Sequence, residues 1–229
     1  CGQNQHQPIN ICQPCLADLP WCVHACRQCG LYLAGAVEPM HELLCGRCLQ
    51  QTPMFDRTLA ACHYLPPING LITRFKHQQH LPSGRVMAHL LQQAVSHYWQ
   101  QPNHIRPQLL IPIPLHHQRL QERGFNQALL LAQWLGCALD LPVAGQYCQR
   151  LDHAPPQQGQ KRHQRLHNLR AAFKLHQPIK ARHIALVDDV LTTGATAEAL
   201  SHTIRSTHDN QVEQIEIWCV ARTLPPGHQ

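Results

Sequence analysis

Apolar and polar positions divide this chain into a polar, cysteine-rich first part and a longer region of alternating strand-like and helix-like periods. Residues 1 to about 50 hold little that could build an apolar core. Beyond Phe55, the run Leu59–Leu65 predicts a strand, closed by Pro66-Pro67. Ile68–Lys76 predicts a short helix, followed by a mobile connection over His77–Gly84. In Arg85–Trp99 the residues Val86, Leu90, Leu91, Ala94 and Val95 mark the inner stripe of an amphipathic helix. A polar linker, 100–107, leads to the buried strand Leu109–Pro114, whose two prolines should end pairing near Ile111. A polar loop then precedes an apolar helix over Ala128–Leu135 and a short strand over Pro142–Cys148. Arg150–Arg170, with Pro155-Pro156 and no apolar period, predicts a long mobile loop of the kind that closes over sites. Order returns at Ala171–Leu175. The unbroken run Ile184–Val187 predicts a buried strand that ends at two carboxylates. A helix over Thr196–Ser206 and a last strand over Glu213–Ala221 complete the pattern, and the tail 225–229 reads as disordered. Strands apolar throughout, alternating with helices, predict an α/β fold with a mostly parallel twisted sheet flanked by helices.

At 229 residues the chain is long enough for one such domain plus a small module. We divide it at 1–52 and 53–229. No apolar run approaches the roughly 18 residues that cross a bilayer, and no basic-then-apolar leader stands at the start. The expectation is a cytoplasmic protein with no membrane insertion. Cys1 stands where a Met would begin a gene product, so the sequence reads as starting inside a longer one. The formal charge is +6, and much of it is local: Lys161, Arg162, Arg165, Arg170, Lys174, Lys180 and Arg182 face a single acid, Asp152, between positions 151 and 182. Such a run suits a polyanion, pyrophosphate or a nucleic-acid backbone; the plain alternative is a solvated basic face. Gln makes up about an eighth of the chain but is scattered, which signals compositional drift rather than a low-complexity segment.

The chemistry concentrates in His183–Leu200, HIALVDDVLTTGATAEAL. In an open α/β sheet, ligands bind beyond the carboxyl ends of the strands. There the sequence places Asp188 and Asp189, acceptors for vicinal hydroxyls that can also support Mg²⁺. The polar loop Thr192-Thr193-Gly194-Ala195-Thr196 follows and opens into a helix, whose first N–H groups and dipole attract an anion. Gly194 lets backbone come close to a ligand. Two plainer readings compete: an Asp-rich turn with a helix cap, and a strand-end metal site of phosphatase type, which leaves the threonine loop without a purpose. The order of parts resembles the 5-phosphoribosyl-1-pyrophosphate (PRPP) motif of type I phosphoribosyltransferases. Arg119 and Arg123, ahead of a helix and after a strand, are placed to hold pyrophosphate through their forked donors, unless they are simply an exposed basic loop. Lys76 ends its predicted helix beside a mobile stretch.

Eight of the twelve cysteines lie before position 50. Cys26-Arg-Gln-Cys29-Gly30 and Cys45-Gly-Arg-Cys48 have the paired spacing of a tetrahedral Zn²⁺ ribbon, and in a module without a core the metal supplies much of the folding energy. A second knuckle, Cys12-Gln-Pro-Cys15, together with Cys1, outlines a truncated further site. Cys62, Cys137, Cys148 and Cys219 sit among apolar residues and read as small core side chains.

Taken together, the CxxC pairs, Phe75-Lys76, IPIPLHHQRLQERGFNQALLLA (111–132), Gln157, Arg165, Asn168, Ala172-Phe173 and LVDDVLTTGAT (186–196) resemble the ComF family of competence-associated proteins. The chain departs from the family pattern at Asp152 and Ala154. The resemblance implies a type I phosphoribosyltransferase fold preceded by a zinc ribbon. It also implies a role in natural transformation beside a helicase-like partner and single-strand-handling proteins. On that reading Asp188, Asp189, Arg119 and Arg123 act on PRPP·Mg²⁺. Lys76, Thr192, Thr193, Gly194, Ala195, Thr196 and Arg165 bind it, and the phosphoribosyl group passes to a nitrogen acceptor that the sequence does not specify. The alternative is a non-catalytic module for single-stranded DNA or a protein partner. A homodimer is left open.

Overall fold

The computed structural model describes residues 11–34, 43–102, 104–151 and 172–225. Two short helices, α1 (Gln13–Ala17) and α2 (Gly46–Gln50), belong to the cysteine-rich part. Then come β1 (Arg57–His63), α3 (Ile68–Gln78), α4 (Leu81–Trp99), β2 (Leu109–Pro112), α5 (His117–Arg123) and α6 (Gln127–Leu139). β3 (Cys148–Arg150), β4 (Phe173–Leu175), β5 (His183–Leu191), α7 (Ala195–Ser206) and β6 (Gln214–Arg222) complete the order. Among the described residues no helix is long and apolar enough to cross a membrane.

The expected mostly parallel sheet flanked by helices is present. Four strands lie in the order β1-β6-β5-β2, each neighbouring pair parallel, and β3 pairs antiparallel with β4 in a separate ribbon. The continuous apolar run of β5 follows from burial on both faces. Ala185 and Val187 point into one core with Ile72, Phe75, Leu90 and Leu131 from α3, α4 and α6. Ile184 and Leu186 point into the other, with Leu200 and Ile204 of α7 and Phe173 of β4. Each buried Leu or Ile of this kind contributes roughly 1.5–3 kcal/mol of transfer free energy. β2 and β5 are neighbours, yet α6 and α7, which follow them, cover opposite faces. That arrangement opens a crevice at their carboxyl ends, the place where this sheet type holds ligands.

Several sequence expectations need correction. His77–Gly84 is not a mobile connection. α3 runs on to Gln78, which is followed by left-handed Gln79, and α4 starts at Leu81 with the His80 ring accepting from the N–H of Ser83 at 3.3 Å. Arg119 and Arg123 stand on a short helix rather than a loop, with His116 capping its start. The strand expected over 142–148 reduces to a bridge between Val143 and Leu110 beyond the edge of β2, then β3 from Cys148. β5 does not end at the carboxylates; its pairing with β6 continues through Asp188↔Cys219 to Leu191↔Arg222. Most of the loop expected over 150–170 lies outside the described residues.

Candidate functional site

Because β5 continues through Asp188 and Asp189, alternation sends their side chains to opposite faces. Asp189 is 6% exposed and turns toward α3, where Lys76 Nζ meets its Oδ2 at 2.7 Å. The pair is well covered, with side-chain exposures of 19% for Lys76 and 8% for Asp189. Lys76→Met should strand the carboxylate and cost about 3–5 kcal/mol at neutral pH. Asp189→Asn in the same chain should return most of that loss, as read by urea denaturation in a double-mutant cycle.

Asp188 faces the side of β3. One of its oxygens accepts from the N–H of Asp189 at 2.8 Å. The residue keeps part of its surface in solvent, but its carboxyl is pushed up to about 8, by burial first and the charge on Asp189 second. The Asp189 N–H and Lys76 pull it partly back. A carboxyl raised above the ordinary 3.8 holds its proton more tightly folded than unfolded. Ligand-free stability should therefore fall as pH rises from about 4 to about 8, and melting temperatures of Asp188→Asn over that window should show a flatter slope.

A residue that sequence reasoning passed over, Arg150 on β3, lies close to this carboxylate. Its pKa is lowered by burial first and by the charge of Arg119 second, and Asp188 raises it. The guanidinium also stands 5.7 Å over the Phe173 ring. Arg119, Arg150 and Asp188 thus share one electrostatic neighbourhood. Only the placement of an Arg at the start of a loop without an apolar period could have hinted at this. Arg123 is placed differently: its Nη1 donates to Gln127 Oε1 at 3.0 Å, and the adjoining Asn126 caps α6 while donating to Ile113 O at 3.3 Å. The RGFNQ segment therefore fastens α6 to the end of β2, with Phe125 packed 5.3 Å from Phe75.

The loop from β5 into α7 has the form of an anion cradle. Gly194 adopts φ +80, a conformation costly for any residue with a Cβ, and a Cβ there would meet nothing within 4 Å. Glycine is thus required for the turn, and the space beside it is open. Thr192 and Thr193 are exposed. The Thr193 hydroxyl accepts from the Ala195 N–H at 3.3 Å, while Gly194 at the N-cap offers no side chain to the N–H groups that follow. First-turn N–H groups without such a partner are donors in search of an acceptor. The loop Thr192–Thr196 and the two aspartates come together at one end of β5; Arg165 lies outside the described residues.

The sulfurs of Cys26, Cys29, Cys45 and Cys48 all lie within 4.8 Å of one another, and those of Cys29 and Cys45 are 3.6 Å apart. Zinc–sulfur bonds of about 2.3 Å in a tetrahedron require sulfurs roughly 3.8 Å apart, so the donor set fits a structural zinc ion. The N–H of Cys45 already donates to Cys26 Sγ at 3.3 Å. The hydrogen bond from Cys29 is the first cause that pulls the Cys26 thiol well below its ordinary range. Cys12 and Cys15 open α1 and are not part of this cluster, and Cys1 lies outside the described residues.

No family profile matches the chain. Full-length relatives do. Competence protein F of Haemophilus influenzae is 36% identical over 229 residues, 97% of this chain and 95% of its own. The DNA utilization protein YhgH of Salmonella typhimurium is 34% identical over 93% of this chain and 91% of its own. Competence protein ComFC of Bacillus subtilis is 38% identical over a shorter stretch, 38% of this chain and 34% of its own. A purine phosphoribosyltransferase from Pyrococcus horikoshii covers 60% of this chain and 73% of its own at TM-score 0.36 and 19% identity, too distant to carry a functional statement. With near-complete coverage at this identity, and with the four-cysteine cluster and the aspartate–threonine strand end both in place, the chain belongs to the ComF family of competence and DNA utilization proteins.

Proposed function

We propose that the chain binds PRPP with Mg²⁺ at the carboxyl end of β5 and transfers its phosphoribosyl group to a nitrogen acceptor, in the cytoplasm and in the setting of DNA uptake. The observation that carries this reading is the junction of an acidic pair with an open-turned, glycine-started helix at the switch point of a parallel sheet. The 5-phosphate would sit on the N–H groups and hydroxyls of Thr192–Thr196. The ribose hydroxyls would be held at Asp188 and Asp189. The same carboxylates offer hard oxygen donors of the kind Mg²⁺ takes, and the ion would supply charge neutralisation on the pyrophosphate. As the bond from C1 to the pyrophosphate oxygen breaks and the acceptor nitrogen bonds C1, Arg119 and Arg150 would stabilise the charge gathering on the leaving group. Arg123 would join them by exchanging its bond to Gln127, and Arg165, which lies outside the described residues, would join as well. Positioning and electrostatics carry such a reaction. The test is calorimetry of the zinc-loaded chain with PRPP and Mg²⁺, followed by a pyrophosphate-release screen of purine, pyrimidine and amine acceptors. Saturable binding and release with one acceptor class are expected; absence of any PRPP binding would discard the reading.

A second reading, contact with single-stranded DNA, is favoured by a groove of about 580 Å³ lined by Trp21, His24, Arg27, Arg57, His97 and Tyr98. Arginines beside aromatic rings suit a phosphate backbone and stacked bases. Arg27→Gln should weaken oligonucleotide binding across sequences and lower the salt slope by about 1. No oligonucleotide binding at low salt would remove this reading.

A further inference from the structure

Arg222 ends β6 and is 5% exposed. All of the guanidinium's hydrogen-bond partners among the described residues are carbonyls or a hydroxyl. Nε donates to the Cys29 carbonyl at 2.9 Å. The two N–H groups of Nη1 are shared among the carbonyls of Leu191 at 3.0 Å, of Thr192, and of Thr223 at 3.2 Å, and Thr223 Oγ1 at 3.1 Å. A buried guanidinium without a carboxylate is costly unless other negative charge lies near. Four thiolates around a divalent cation carry net negative charge, and Cys29 is one of the four.

The two ends of this contact belong to different sites. On one side, Gly30 turns the knuckle with φ +67; its N–H donates to Cys26 O at 2.8 Å, and a Cβ there would come within 2.9 Å of Thr58 Cγ2 and 3.6 Å of Arg222 Cδ. The knuckle is therefore seated on β1 and on the arginine's stem. On the other side, Thr223 repeats the hold, its N–H donating to Leu191 O at 3.2 Å and its hydroxyl to Thr192 O at 3.3 Å. In a trans peptide the carbonyl and the next N–H point in opposite directions. Tying the carbonyls of Leu191 and Thr192 to Arg222 thus turns the N–H groups of Thr192 and Thr193 away from it. A cavity of about 470 Å³ lies at the same junction, lined by Cys29, Cys48, Thr193, Gly194 and Arg222 among others. The arginine bridges a gap, not a packed seam.

We propose that Arg222 is a positioning residue that couples occupancy of the four-cysteine metal site to the anion-binding shape of the Thr192–Thr196 loop. The proposal rests on the phosphoribosyl reading for the identity of the loop's ligand. Metal holds the Cys29 carbonyl in place, the carbonyl holds the guanidinium, and the guanidinium holds the loop's peptides. Coupling of this kind is reciprocal, so the loop's ligand must also retain the metal.

Zinc affinity of the full chain is measured by competition with a zinc-selective chromophoric chelator, with and without saturating PRPP and Mg²⁺. PRPP is expected to tighten zinc binding by about fivefold or more, the lower range of allosteric coupling. Arg222→Lys keeps the charge but cannot span both carbonyl sets; it should bind zinc and PRPP separately and lose the coupling. Thr223→Val removes the hydroxyl that both accepts from Arg222 Nη1 and donates to the Thr192 carbonyl and should reduce the coupling, and it carries the test if Arg222→Lys does not fold. PRPP binding with zinc affinity unchanged in the native chain, or full coupling in these variants, overturns the proposal. Failure of the zinc-loaded native chain to bind PRPP at all overturns the phosphoribosyl reading and this coupling with it.

Discussion

Replacing Asp188 and Asp189 together by asparagine is expected to abolish measurable binding of PRPP with Mg²⁺. With Mg²⁺ beside them both carboxyls would be ionised, and each would lose a charged hydrogen bond to a ribose hydroxyl, worth about 1.5–3 kcal/mol apiece, so the pair together implies a loss of roughly 10²- to 10⁴-fold. Asparagine keeps the volume and one acceptor, so packing around β5 should survive. The single variants should differ. Asp189→Asn also leaves Lys76 without its 2.7 Å partner, and should lower stability as well as affinity. Asp188→Asn removes a carboxyl that burial already holds toward its neutral form, and should spare stability while weakening the ligand. Calorimetry beside circular dichroism separates the two effects. A double variant that binds within a few-fold of the native chain would show that the aspartates are structural.

Loss of the metal from the four-cysteine site is expected to be the largest single change in stability. Structural zinc sites of this donor set bind with apparent free energies of about 10–16 kcal/mol. The apolar cluster around the four sulfurs is small: Cys26, Cys45 and Cys48 are buried, and Leu31, Leu33 and Leu44 are only partly covered. Cys45→Ser should lower zinc content by one equivalent per chain and expose the segment around Cys26–Leu33 to proteolysis. The sheet should persist, because its two cores are built almost entirely from residues beyond position 54. Elemental analysis with limited proteolysis checks this. Undiminished zinc in Cys45→Ser would mean that the four sulfurs do not form the site.

Much of the architecture was legible because parallel strands buried on both faces must be apolar without interruption. Ile184–Val187 could be little else, and charged residues directly after such a run had to lie toward the strand's carboxyl end. The four-cysteine cluster was legible for a similar reason: four thiols at paired spacing have few uses in a segment without a core. Helix limits were less accessible. The polar stretch His77–Gly84 lacks an apolar period, yet a left-handed Gln79, a capping His80 and Pro82 in the first turn make it the seam between two helices.

What the sequence determined by itself was therefore local: periodicity, turn chemistry and ligand spacing, each set by residues a few positions apart. The tertiary structure decided the rest. It carried β5 through the aspartates, because pairing with β6 extends past them, and in doing so sent the two carboxylates to opposite faces. It brought Arg150 beside Arg119 and Asp188 across an interval that has no periodicity to read. It also turned Arg222, by sequence one more arginine at a strand end, into a buried bridge from Cys29, 193 positions away, to Leu191, 31 positions away. A guanidinium's partners are whatever carbonyls the fold leaves within reach, and that reach is fixed by the packing of distant strands, not by neighbours in the chain.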